Sequence, residues 1–84
     1  MNLEKSLEDA ISCHQANRFQ EAEQLYRSIL KAEPEHPDVN HNLGLLLMQQ
    51  EQVDNALEFF ITALNANPCT MQFWVSYIEA LIYK

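Results

Sequence analysis

Three histidines are the residues of this sequence that could most readily serve catalysis or metal binding: His14, His36 and His41. A common zinc-binding arrangement places two histidines four residues apart on one helix. His36 and His41 are five residues apart, and a helix that begins at Pro37 is expected to separate them. His36 lies in the turn EPEHPD, where we expect a solvated or capping residue. The spacing therefore predicts no metal site.

The acidic residues and the glycine also form no pattern associated with catalysis. Gly44 is the only glycine in the chain, so there is no glycine-rich phosphate loop. Glu33, Glu35 and Asp38 are typical of a solvated acidic turn. Catalysis requires a nucleophile, a base and a group that orients them, and no such set is recognisable. We therefore predict that the protein is not an enzyme and has no cofactor.

The two cysteines, Cys13 and Cys69, are not in C-x-x-C spacing and are too few for a disulfide framework. Two free thiols in a reducing compartment are predicted, although a bridge between them is arithmetically possible. The N-terminal stretch MNLEKSLEDA has no basic segment followed by an apolar one, so it does not look like a secretory signal. These features favour a cytoplasmic location.

The composition excludes two classes of partner. Twelve acidic and five basic residues give a net charge of −7, and the basic residues are scattered. Nucleic-acid binding requires a basic stripe that neutralises phosphates, and anionic lipid would repel this chain. No stretch approaches the roughly 18 apolar residues of a membrane-spanning helix. We therefore predict neither a nucleic-acid nor a membrane partner.

An internal period organises the chain. The spacing between Pro34 and Pro68 defines it. Other residues of matching size recur at the same interval, namely Ala22 and Ala56, Leu25 and Phe59, Tyr26 and Phe60, Leu30 and Leu64, the series Ala10, Gly44 and Ile78, and the series Cys13, Leu47 and Leu81. Agreement at so many positions indicates an internal repeat.

Each repeat is predicted to contain two helices. In the second repeat, helical spacing begins at Pro37 and runs through DVNHNLGLLLMQQ; after the polar stretch QQEQ it resumes in VDNALEFFITALNAN and ends before Pro68. The first repeat follows the same plan and ends at Pro34. Thr70 is a suitable N-cap for a fifth helix, which contains WVSYIEALIYK. The predicted fold class is all-α, with about five helices.

Small residues are expected at the helix crossings. Gly44 and Ala56 are predicted to pair between the two helices of the second repeat, where they would let the backbones approach closely. Large side chains such as Tyr26 and Phe60 would then fill the space between successive repeats.

These positions resemble the tetratricopeptide repeat family, whose pattern is W-x2-L-G-x2-Y, then A-x3-F, then P, in a repeat whose length equals the period seen here. The second repeat carries Leu43-Gly44, then Ala56-x3-Phe60, then Pro68. The resemblance implies a right-handed solenoid of antiparallel helix pairs.

The resemblance also implies how the chain is divided. It would form a single domain over residues 1–84, with repeats at 3–36 and 37–70 and the first helix of an incomplete third repeat at 71–84. The solenoid would therefore contain two and a half units.

In this family the first helices of the repeats line a concave groove that takes an extended peptide or a helix. Carried over residue by residue, the resemblance implies a groove formed by Leu7, Ile11, His14, Asp38, His41, Asn42, Leu45, Met48, Gln49, Val75 and Glu79, extended by Gln72 and Ile82. Asn42 is the candidate for binding a ligand's backbone, because its amide both donates and accepts; it could also be a solvated helix residue. Leu45 and Met48 could instead belong to the core.

The groove residues also indicate the charge of the ligand. They include Asp38 and Glu79 but no lysine or arginine. An acidic tail, of the kind that some chaperone-binding repeats clamp, would be repelled. The implied partner is a protein or peptide that is neutral or basic.

The last helix has apolar residues over too wide an arc for a solvated end helix. They form a predicted interface of Trp74, Tyr77, Ile78, Leu81 and Ile82. Either the parent protein continues beyond Lys84 and covers this face, which we favour because repeats need neighbours, or two chains form a homodimer through it.

The leading hypothesis for function is a non-catalytic protein–protein interaction scaffold that is a module of a longer protein. The stretches EAEQLYRSIL, PDVNHNLGLLL and FWVSYIEALI are similar to repeats that precede glycosyltransferase or methyltransferase domains in bacterial proteins. One alternative is therefore the acceptor-presenting module of a bacterial glycosyltransferase. The other is a small structural protein that forms homodimers.

Overall fold

The computed structural model describes residues 2–84, which form five helices and no strand. The helices are α1 (Leu3–Gln15), α2 (Phe19–Ala32), α3 (Pro37–Gln49), α4 (Val53–Ala66) and α5 (Met71–Tyr83). Helix α1 packs most extensively on α2, α3 on α4, and α5 mainly on α4. The predicted all-α solenoid of helix pairs is confirmed. None of the five helices combines the length and apolar character needed to cross a membrane.

Residues before α3 and α5 illustrate how the helices begin. Pro37 lies in the first turn of α3, and Nδ1 of His36 accepts a hydrogen bond from the backbone N–H of Val39 at 3.2 Å. His36 is therefore a helix cap, one of the two roles expected for it. Thr70 occupies the N-cap position of α5, but its side chain makes no capping hydrogen bond.

The turns inside the two repeats share a left-handed residue. Asn17 has a φ of 64° and Glu51 has a φ of 62°, and the two occupy equivalent positions of successive repeats. At the second turn the N–H of Glu51 donates to the carbonyl of Met48 at 3.0 Å, and the N–H of Gln52 donates to that of Leu47 at 2.8 Å. These two bonds form a Schellman motif, which favours glycine or asparagine at the left-handed position. Glutamate is an unfavourable residue there.

Replacing Glu51 with glycine is expected to raise the free energy of unfolding by about 0.5–1 kcal/mol, because glycine removes the steric cost of positive φ. Urea denaturation at neutral pH measures the change. A suitable control is Glu58→Gly, on the exposed side of α4, where glycine should instead destabilise by up to about 1 kcal/mol. A loss of stability in both variants would contradict the role assigned to this turn.

The core contains a close approach between α3 and α4 at Gly44. A Cβ atom added at Gly44 would lie 2.6 Å from Cδ1 of Phe60, and the three nearest neighbouring atoms all belong to that ring. The side chain nearest to Gly44 is therefore Phe60, and the predicted pairing of Gly44 with Ala56 stays a prediction. The Phe60 ring is fully buried and occupies the space that glycine leaves. Phe60 thus packs within its own repeat and does not serve only to fill the space between repeats.

Candidate peptide-binding cleft

A surface cleft of about 390 Å³ lies between the first helices of the two complete repeats. Helices α1 and α3 supply its two sides, and one residue of α2 contributes to it. The lining residues are Ile11, His14, Gln15, Asn17, Tyr26, Asn42, Leu45 and Gln49. The cleft therefore combines aliphatic side chains with amide groups, and none of its lining residues is an acid, a lysine or an arginine.

A hydrogen-bonded chain of three side chains crosses this cleft. The hydroxyl oxygen of Tyr26 lies 3.2 Å from Nδ1 of His14, and Nε2 of His14 lies 2.5 Å from Oε1 of Gln49. The ring of His14 also meets the rings of Phe19 and Tyr26 edge to face, with centroids 5.8 and 6.0 Å apart. These contacts hold the imidazole in place and connect α2, α1 and α3.

The side-chain oxygen of Gln49 sets one direction in this chain, because it can only accept and Nε2 of His14 therefore donates to it. Desolvation, assisted by the charge of Cys13, raises the pKa of Tyr26 to about 12. The hydroxyl group is a donor as well as an acceptor at neutral pH, and it pairs with Nδ1 of His14. Because the oxygen of Gln49 accepts the bond from His14, the amide NH₂ of Gln49 remains available as a donor in the cleft that Asn42 also lines.

The functional groups of the cleft are suited to hydrogen bonding and apolar contact with a ligand. Among residues 2–84, no group of three or more histidine, cysteine or acidic side chains is arranged to hold a metal ion. Cys13 is half-buried and Cys69 is exposed, and both are free thiols. What the cleft offers is a set of amide donors and acceptors next to two aliphatic side chains.

The structure brings together five of the eleven predicted groove residues: Ile11, His14, Asn42, Leu45 and Gln49. The other six lie outside the cleft. Leu7 and Met48 are half-buried and pack against the core, and Asp38, Val75 and Glu79 are exposed elsewhere. Leu45 lines the cleft and also packs against the core.

His41 is the predicted groove residue that the structure contradicts. Its side chain is only 6% exposed, so it cannot contact a ligand in the groove. Nε2 of His41 lies 2.7 Å from Oγ of Ser76, and its ring lies 4.7 Å from that of Phe73 and 5.7 Å from that of Phe60. The physical reason is that α5 covers this part of α3. His41 joins the second repeat to the third.

Three residues of the cleft were not among those predicted: Gln15, Asn17 and Tyr26. Tyr26 aligns with Phe60 in the repeat, and this alignment indicates a core side chain. It is indeed fully buried, but its hydroxyl group reaches His14. The available signal was that Tyr26 carries a hydroxyl group where Phe60 has none, because a buried tyrosine hydroxyl usually needs a hydrogen-bond partner.

The residues predicted to form an interface on α5 are mostly exposed. Trp74, Ile78, Leu81 and Ile82 are between 45% and 75% exposed. Tyr77 is the exception, because it is half-buried and packs against the core. Its ring also meets that of Trp74 edge to face, with centroids 6.4 Å apart, and its place in the predicted interface stays a prediction.

Comparison with known proteins agrees with this architecture. A family model described as tetratricopeptide repeat matches residues 14–70, which is more than half of the chain. No curated protein matches the sequence significantly, so the similarity to repeats of bacterial transferases stays a prediction. The matched residues include the cleft between α1 and α3 from His14 onward. The chain belongs to the tetratricopeptide repeat family.

Proposed function

We propose that this domain is a non-catalytic scaffold that binds an extended, uncharged or basic peptide segment in the cleft between α1 and α3. Tetratricopeptide repeats generally mediate protein–protein interaction, and a scaffold role fits the family at that level. The observation that carries the finer proposal is the hydrogen-bonded chain Tyr26–His14–Gln49, which orients a side-chain amide at the cleft.

The polar groups of the cleft suit the main chain of a peptide. A peptide backbone presents N–H donors and C=O acceptors whatever its sequence. The oriented NH₂ of Gln49 can donate to a backbone carbonyl, and the amide of Asn42 can both donate and accept. Because Gln49 is already bound to His14 through its oxygen, less rotamer freedom is lost when it engages a ligand.

The apolar and electrostatic properties of the cleft suggest which side chains the peptide carries. Ile11 and Leu45 are half-buried and offer contact to an aliphatic side chain. No lysine or arginine lines the cleft to pair with a carboxylate, and the chain carries a net charge of −7. The long-range field therefore favours a neutral or basic segment over an acidic one.

The test uses an array of synthetic ten-residue peptides in three charge classes (acidic, neutral and basic), followed by titration of the binders by fluorescence anisotropy. We expect binders among the neutral and basic peptides only. Asn42→Ala and Gln49→Ala should each weaken binding by about tenfold, the value of one well-formed hydrogen bond. Acidic binders of equal affinity would contradict the proposal.

Matched controls test whether the effect comes from the cleft. Asn65→Ala on α4 and Gln24→Ala on α2 remove the same chemical groups from exposed sites outside the cleft. Both should leave affinity unchanged. If all four variants bound alike, the peptide would lie elsewhere. If peptide amides caused shifts in the side-chain NH₂ resonances of Asn42 and Gln49, the position of the ligand would be supported directly.

A further inference from the structure

Helix α5 carries an uninterrupted apolar face on the side away from the solenoid. The exposed residues include Met71 at 78%, Trp74 at 45%, Ile78 at 52% and Ile82 at 75%. Only one residue between Met71 and Tyr83 is charged, namely Glu79. Scattered apolar residues are normal on a protein surface, but a continuous patch of this kind marks an interaction site.

The repeat register identifies what kind of surface this is. A shift by one repeat places Trp74, Ile78 and Leu81 on the positions of Asn40, Gly44 and Leu47 in α3, respectively. These three residues of α3 are buried. Helix α3 is the helix on which α4 packs most extensively. The outer face of α5 is therefore a helix-packing face, and no helix of residues 2–84 covers it.

The size of the face is appropriate for an interface between two chains. Taking about 150–250 Å² for a whole large side chain, the exposed fractions leave roughly 600–800 Å² of apolar surface on α5. Each partner in a standard protein–protein interface buries about 800 Å². The face alone is thus close to the area that a stable dimer requires.

We propose that a second copy of this chain covers the face, with the two α5 helices antiparallel across a twofold axis at Ile78. In that arrangement Ile78 meets Ile78 of the other protomer, and Trp74 of each chain meets Ile82 of the other. The face is therefore self-complementary, as a twofold interface requires. It also brings no pair of like charges together, because Glu79 lies outside it.

Ile78 favours a second α5 helix as the cover of this face over a helix that packs on α5 as α4 packs on α3. Helix α4 approaches α3 through Gly44, where even a Cβ atom would lie 2.6 Å from the Phe60 ring. The residue at the equivalent position of α5 is Ile78, whose branched side chain prevents such an approach by an aromatic ring. Two α5 helices that meet through aliphatic residues at an ordinary interaxial distance of about 8–10 Å avoid this conflict.

The decisive experiment is sedimentation equilibrium of the whole chain from about 2 to about 200 μM, since mass action then reveals a monomer–dimer equilibrium. We expect a dimer with a dissociation constant in the micromolar range. Ile78→Glu should raise this constant at least 100-fold. The matched control is Ile61→Glu, at an apolar residue of α4 that is 43% exposed and lies outside the face, and it should change nothing.

Salt gives an independent reading of the same equilibrium. Two chains of charge −7 repel each other, so raising sodium chloride from about 50 to about 500 mM should tighten the dimer by screening. Weakening by salt would overturn the proposal, because it would indicate pairing between opposite charges. A monomer at every concentration, or an assembly larger than a dimer, would overturn it too.

A cross-linking measurement does not depend on whether the glutamate variant folds. In a chain with Cys13→Ser and Cys69→Ser, Ile78→Cys places a thiol on the proposed axis, and oxidation should join two chains through one disulfide. Ile61→Cys in the same background should stay monomeric on a non-reducing gel. Equal cross-linking by the two variants, or none by Ile78→Cys, would refute the twofold axis.

Discussion

Replacing Gly44 with leucine is expected to lower the free energy of unfolding by about 1–3 kcal/mol, the usual range for overpacking a core. The nearest atoms to its Cβ position belong to Phe60, whose ring is fully buried. The gain in helix propensity over glycine, about 0.8–1 kcal/mol, offsets only part of the strain. Urea denaturation followed by far-UV circular dichroism measures the loss.

A double-mutant cycle identifies Phe60 as the cause. Phe60→Leu removes part of the ring and creates space, so Gly44→Ala should be destabilising in the native background and neutral or stabilising in the Phe60→Leu background. The two residues are in contact, and non-additivity is therefore expected. Ala56→Leu is the comparison variant, since sequence spacing alone had indicated Ala56 as the partner of Gly44. Additive effects of Gly44→Ala and Phe60→Leu would show that the strain lies elsewhere.

The helices were predictable because the signals that define them are local. Pro34 and Pro68 interrupt the helical pattern at the same point of each repeat, and apolar residues keep helical spacing between them. The observed bounds, such as Pro37–Gln49 for α3, follow from those signals. The left-handed turn at Glu51 was not predictable in the same way, because glutamate rarely adopts positive φ. Only its alignment with Asn17 points to it.

The side-chain partners were less predictable because they depend on contacts between repeats. His41 lies on a first helix at a position that the repeat register assigns to the groove, yet Phe73 and Ser76 enclose it. Those residues belong to the following repeat, so no local pattern reports the enclosure. The contact between His14 and Gln49 could not be predicted for the same reason. These two residues are 35 positions apart, as are His41 and Ser76, and they meet between adjacent first helices.

The enclosed His41 should be one of the most sensitive positions of the domain. His41→Ala is expected to cost about 3 kcal/mol at pH 7.5, because it leaves a cavity against the Phe60 and Phe73 rings and removes the hydrogen-bond partner of Ser76. His41→Phe combined with Ser76→Ala keeps the ring and removes both polar groups, so it should remain within about 1 kcal/mol of the native chain. Urea denaturation of the three proteins makes the comparison.

The pH dependence of these curves distinguishes a buried neutral imidazole from a simple packing role. Burial lowers the pKa of His41 below its usual 6.5, although the Asp38 carboxylate and a hydrogen bond with Asn42 act in the opposite direction. The unfolded chain therefore takes up this proton at a higher pH than the folded chain. The stability that neutral His41 confers is complete above pH 6.5 and is lost as the pH falls towards the folded-state pKa, by up to about 1.4 kcal/mol per pH unit.

The variant with His41→Phe and Ser76→Ala has no group that titrates at this position. Its free energy of unfolding should therefore rise relative to that of the native chain as the pH falls from about 7.5 to about 5.5. All other titratable residues are the same in the two proteins, so the difference between their stability curves reports the removal of His41. Stability curves that ran parallel over this range would mean that His41 has the same pKa in the folded and unfolded chains. Its enclosure by α5 would then have to be incomplete in solution, and the contact that joins the second repeat to the third would be weaker than the geometry indicates.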